Sequence, residues 1–144
     1  MIRSRVILLV EDNPDHVELT RRAFAKQRLA SAIVVAVDGE TALDYLFRTG
    51  SYAGQTTVLP DLVLLDLQLP TLDGLGVLRR IRADGRTRRL PVVVLTSSDE
   101  PRDIDDSYDS GANSFVRKPI SFTEFAKTAE NLCSYWLVHN EPSS

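Results

Sequence analysis

At 144 residues, with one cysteine and a net charge of -3, the chain has the size of one domain with one real hydrophobic core. A pI near 5.4 gives no general pull toward nucleic acid, the lone Cys133 cannot close an internal disulfide, and no apolar run approaches the length of a bilayer span. No apolar segment followed by a small-residue cleavage site opens the sequence, so the expectation is a soluble cytoplasmic protein, residues 1–144 forming a single domain, with no membrane or nucleic-acid partner.

Short apolar runs alternate with helix-period segments, the pattern of β/α units whose strands are buried on both faces. Residues 6–10 predict the first strand, which runs into Glu11 and Asp12. Asn13 is a good N-cap and Pro14 a good first helical residue, so helix one starts there and buries Val17, Ala23 and Phe24. Residues 33–37 predict strand two, and Gly39 precedes a helix carrying Ala42, Leu43, Leu46 and Phe47. Residues 49–60, rich in Gly, Ser and Thr, form a connection long for an α/β fold. Strand three, residues 62–65, runs into Asp66. Helix three begins near Gly74 and buries Leu75, Leu78 and Ile81. Strand four, residues 92–95, runs into Thr96; a weak helix over 101–110 and a fifth strand over 114–118 follow. The last helix opens on a capping box, Ser121 with Glu124, and carries the stripe Phe122, Phe125, Ala126, Ala129, Leu132, Cys133, Trp136 and Leu137, before a polar tail from about residue 139.

Right-handed crossovers with helices on both faces make a doubly wound parallel sheet the simplest topology, although strand order cannot be read from these patterns. In such a sheet the C-terminal strand ends share one edge, so Glu11, Asp12, Asp66 and Thr96 converge although they are far apart in sequence. Clustered carboxylates there predict a hard divalent cation. Lys118, at a strand end and held extended by Pro119, is aimed at the same crevice and could pair with a phosphoryl group.

Five motifs in order, Glu11-Asp12, Asp66 after Leu62-Val63-Leu64-Leu65, the turn Pro70-Thr71-Leu72-Asp73-Gly74, Leu95-Thr96-Ser97, and Lys118-Pro119, resemble the receiver domains of bacterial response regulators over roughly residues 5–137. The resemblance implies a flavodoxin-like α/β fold, a five-stranded parallel sheet of order 2-1-3-4-5 flanked by five helices; receivers are themselves a standing example of that order. It implies that Asp66 is the phosphoacceptor, that Mg2+ is held by Glu11, Asp12, Asp66 and the backbone carbonyl of Gln68, and that Thr96 and Lys118 contact the phosphoryl group. It also implies a cis peptide before Pro119 and a switch that couples Thr96 to an aromatic residue, here Phe115, where many members have tyrosine. Phe115 read alone is as well explained as core. The long loop before strand three and the extended last helix look closest to single-domain regulators that serve phytochrome-type histidine kinases, which implies a sensor kinase as partner.

Several features stand outside those motifs. Helix four offers only Ile104 and Tyr108 as anchors among Asp99, Glu100, Asp103, Asp105, Asp106 and Asp109, so it is expected to be a low-stability element able to shift. The run Arg79, Arg80, Arg82, Arg86, Arg88 and Arg89 reads as a solvated helix end. His16 falls near the site, but one histidine does not define a transition-metal centre. Leu132, Tyr135, Trp136, Leu137 and Val138 are either a homodimer surface or a last turn folded onto the domain. Three functions fit these residues: a phosphorylatable signalling receiver that is not an enzyme in the ordinary sense, a receiver-like module that never carries phosphate, and a phosphohydrolase with an aspartyl intermediate. The third lacks a carboxylate two residues after the nucleophile, where Gln68 stands.

Overall fold

The computed structural model describes residues 5–26 and 31–143. Strands β1 (Arg5–Val10), β2 (Ser31–Ala36), β3 (Leu62–Leu65), β4 (Val92–Thr96) and β5 (Ser114–Arg117) pair in parallel in the order 2-1-3-4-5. Helices α1 (Pro14–Ala25), α2 (Gly39–Phe47), α3 (Gly74–Ala83), α4 (Pro101–Asp109) and α5 (Phe122–Ser134) connect and follow the strands. This is the expected flavodoxin-like arrangement. None of the described helices is long and apolar enough to cross a membrane.

Alternation along the strands builds two cores, one per sheet face. Ile7, Leu9, Leu62, Leu64, Val93 and Leu95 meet Ala23 and Phe24 of α1 and Phe125, Ala129, Leu132 and Cys133 of α5. Leu8, Val10, Val63, Leu65 and Val92 meet Ala42, Leu43 and Leu46 of α2 and Val77, Leu78 and Ile81 of α3. Every described residue of β3 and β4 is buried, as a central strand covered on both faces requires. Helix α4 contributes to neither core, and Ser107 is its one buried residue.

The ladder continues one residue past three strands, and this fixes the site. The Glu11 N–H donates to the Ala36 carbonyl at 2.9 Å, the Asp66 N–H to the Val10 carbonyl at 3.0 Å, and the Lys118 N–H to the Thr96 carbonyl at 2.7 Å. Glu11, Asp66 and Lys118 therefore each have their backbone clamped by the last carbonyl of a neighbouring strand.

Several boundaries differ from the sequence-based expectation. Strand β2 ends at Ala36, and Val37 leaves the sheet because Asp38 caps α2, its Oδ1 accepting from the Thr41 N–H at 2.7 Å. Gly39 is inside α2, not before it. In α3 the buried positions are Gly74, Val77, Leu78 and Ile81, a single helical stripe that leaves Leu75 half-buried one residue to the side. Strand β5 ends at Arg117, so Lys118 follows the strand. Ser121 caps α5 through its Oγ and the Glu124 N–H, but Phe122 is 65% exposed because it lies in the first turn, above the core stripe. The peptide before Pro119 is trans. The long connection is closed locally: a 3-10 turn at Gly50–Tyr52 is followed by bonds from Tyr45 Oη to the Val58 carbonyl at 2.6 Å and from Arg48 Nη2 to the Thr57 carbonyl at 2.8 Å.

Past α5 the chain continues in a π-helical turn, Tyr135–His139. Leu132 and Leu137 are buried and Trp136 packs against the α1/α5 core, which leaves only Tyr135 and Val138 of the expected apolar patch exposed.

Candidate functional site

Glu11, Asp12 and Asp66 bring ligand oxygens within 4.8 Å of one another at the C-terminal edge of the sheet. Glu11 is 3% exposed and Asp66 6%, while Asp12, one residue further into the loop, faces solvent. Gly74 permits this closeness to the next segment: its N–H donates to the Leu67 carbonyl at 3.0 Å, and a Cβ there would overlap the carbonyl oxygen of Asp66.

Lys118 fills the crevice between the acids. Its Nζ lies 2.5 Å from Glu11 Oε1 and 2.9 Å from Asp66 Oδ2, with the side chain almost wholly buried. The remaining oxygens are also occupied: Asp66 Oδ1 accepts the Gln68 N–H at 3.1 Å and Glu11 Oε2 accepts the Asn13 N–H at 3.2 Å. Burial pushes the Glu11 carboxyl up to about 7, against the opposing pull of Lys118, and the nearby Asp66 adds to the rise. Burial first, and then the Lys118 charge, lowers the His16 pKa, which favours a neutral ring.

Three further residues named from the sequence lie around this cluster. Thr96 is fully buried at the end of β4, and its hydroxyl oxygen accepts the Ser98 N–H at 3.5 Å. Phe115 is half-buried on β5, its N–H donating to Tyr108 Oη at 3.2 Å. Gln68 turns its side chain to solvent.

Sequence reasoning placed His16 near the site without a role. The Asn13 cap puts it in the first turn of α1, over the strand end, where Nδ1 lies 2.9 Å from Lys118 Nζ and 3.7 Å from Glu11 Oε1. The cap was the one signal that could have located it.

The donor set suits a hard cation. All three groups are carboxylates, one is open to water, and Mg2+ prefers oxygen ligands while keeping several waters. The buried carboxylates of Glu11 and Asp66 repel at this distance, and the Lys118 ammonium paired with both relieves that repulsion.

Against known proteins, residues 7–130 match the response regulator receiver domain. The chain belongs to that family. The receiver is 44% identical over 135 residues to the probable methanogenesis regulatory protein FilR2 of Methanothrix harundinacea, covering 94% of this chain and 85% of that one. Its backbone superposes with a TM-score of 0.93 on the phosphorylated cyanobacterial phytochrome response regulator RcpA, at 35% identity over 99% of this chain and 100% of that one. The Mn2+-bound response regulator Rcp1 of Synechocystis follows with a TM-score of 0.92, at 31% identity over 97% and 99% of the two chains. Receivers are signalling proteins of two-component systems that interact with sensor histidine kinases and bind Mg2+ at an acidic pocket, and this receiver carries such a pocket.

Proposed function

We propose that the receiver is a stand-alone response regulator that accepts a phosphoryl group from a histidine kinase onto Asp66 and signals through protein contacts. The observation that carries this reading is the buried Asp66 carboxylate at a strand end, paired with Lys118 at 2.9 Å and flanked by Glu11 and Asp12. One Asp66 oxygen attacks phosphorus of the kinase phosphohistidine. The P–N bond breaks, its electron pair stays on the imidazole, and an acyl phosphate forms. Lys118 then pairs with an oxygen of the transferred group, and the Thr96 hydroxyl donates to another after turning inward. In hydrolysis, water attacks phosphorus, the P–O bond to Asp66 breaks, and inorganic phosphate leaves. Mg2+, held by Glu11, Asp12, Asp66 and the Gln68 carbonyl, would offset the negative charge shared by the carboxylate and the phosphoryl oxygens.

The inward turn of Thr96 is the switch, with Phe115 moving in concert by packing alone, since it lacks a hydroxyl. A phytochrome-type kinase is the partner we favour, in the cytoplasm; likeness over the whole chain of RcpA, a phytochrome response regulator, supports this partner. Tyr135 and Val138, exposed on either side of Trp136, support a homodimer through the π-helical turn that follows α5. The test is transfer from a phosphorylated phytochrome-type kinase. Label should leave the kinase histidine and arrive on wild type and not on Asp66→Asn; label that stays on the kinase contradicts the reading.

A further inference from the structure

A lysine ammonium has three protons to donate and no lone pair, and Lys118 is buried. Glu11 and Asp66 take two of its protons. The third faces His16 Nδ1 at 2.9 Å, so Nδ1 is the acceptor and the ring carries its proton on Nε2. His16 is itself held from three sides. Its ring stacks on Phe125 with centroids 5.2 Å apart and an interplanar angle of 23°, and Phe125 is buried in the core stripe of α5. Its N–H donates to Asn13 Oδ1 at 3.3 Å, and its carbonyl accepts from Thr20 Oγ1 at 2.8 Å.

We propose that His16 is a positioning residue for phosphoryl transfer at Asp66: by accepting the third proton of Lys118 it fixes the ammonium at the mouth of the site. This rests on the reading of Asp66 as phosphoacceptor. When a phosphoryl group arrives, Lys118 must exchange a carboxylate contact for a phosphoryl oxygen. The His16 bond competes with neither, so it can persist through the exchange and keep Nζ within reach. Without it the buried ammonium is held by Glu11 and Asp66 alone, and giving up one of those contacts leaves Nζ with a single anchor.

The test compares wild type, His16→Phe and His16→Asn in the full chain. Phenylalanine keeps the stack on Phe125 and removes the acceptor; the asparagine Oδ1 restores an acceptor near the position of Nδ1. With acetyl phosphate and Mg2+, followed by intact mass, His16→Phe should phosphorylate roughly tenfold more slowly, as loss of a hydrogen bond to a charged group implies. His16→Asn should recover most of the rate, with melting midpoints of all three within about 4 °C. Independently of phosphate, the Nδ1 signal of 15N-labelled His16 should move in Lys118→Met. Wild-type rates in His16→Phe, an Asn variant as slow as Phe, or an unmoved Nδ1 signal would overturn the proposal alone. A wild type that takes no phosphate would overturn the reading of Asp66 with it, while the NMR signal would still decide whether His16 holds Lys118.

Discussion

Lys118 is the residue on which the site turns, because a buried cation is tolerated only where its charge and its protons are all matched. Its partners come from residues 11, 16 and 66; the acids were legible in the sequence, since each follows an apolar strand, and His16 was legible as a neighbour of the site but not as a partner of Lys118. The histidine contact spans 102 positions and follows no strand pattern, so it needed the packed helices to become visible. Burial also governs Cys133, whose thiol in the α5 core is pushed from 9.0 up to about 11. The folded state disfavours the thiolate, so the neutral thiol contributes fully to stability below pH 9, and that contribution is lost as pH rises from 9 through 11. Labelling by a thiol reagent at pH 8 should be slow in the native receiver and rapid in denaturant. Equal rates would contradict the buried assignment.

At the scale of elements, α3 and α4 contrast. Strands and helices were legible because their apolar periods differ; in the basic run Arg79, Arg80, Arg86, Arg88 and Arg89 are exposed as a solvated helix end requires, but the role of Arg82 was not legible. Arg82 is no solvated helix end: Nε donates to the Gly111 carbonyl at 2.9 Å, Nη1 to the carbonyls of Arg88 and Leu90 at 3.0 and 2.7 Å, and Nη2 to Asn113 Oδ1 at 2.9 Å. Asn113 Oδ1 in turn accepts the Val92 N–H at 2.8 Å, so the clamp ties α3 to the starts of β4 and β5. Gly111, at φ +103°, lies against the Arg82 stem, where a side chain would be both strained and crowded. Arg82→Lys should cost about 2 kcal/mol in denaturant melts, because an ammonium cannot span this fork of acceptors. A loss below about 0.5 kcal/mol would show the clamp to be idle. Helix α4 is the reverse case. Tyr108 is 49% exposed and anchors by its hydroxyl to β5 instead of by burial, so the helix rests on Ser107 and half-buried Ile104. Asp66 phosphorylation should therefore change amide exchange protection in α4 and β5 before it does so in α2 or α3. Unchanged protection there on full phosphorylation would remove α4 from the output path.

For the whole molecule, sheet order decides function. The order 2-1-3-4-5 sets β1 and β3 side by side, so the acids following them meet, while β4 and β5 bring Thr96 and Lys118 alongside. Alternating β and α periods made the parallel sheet legible, but strand order came only through the family resemblance, because periodicity carries no information on which strands are neighbours. The proposed metal requirement rests on the same arrangement. Glu11 and Asp12 beside the Asp66 carboxylate repel an anionic donor, and Lys118 alone is already shared between Glu11 and Asp66. The most direct measurement is intact mass after incubation with acetyl phosphate, with and without Mg2+, for wild type, Asp12→Asn and Asp66→Asn. One phosphoryl adduct that needs the metal, is sharply reduced in Asp12→Asn and is absent in Asp66→Asn is the predicted result. A folded wild type that gains no adduct, or an adduct that persists without Asp66, would contradict the assignment of the site.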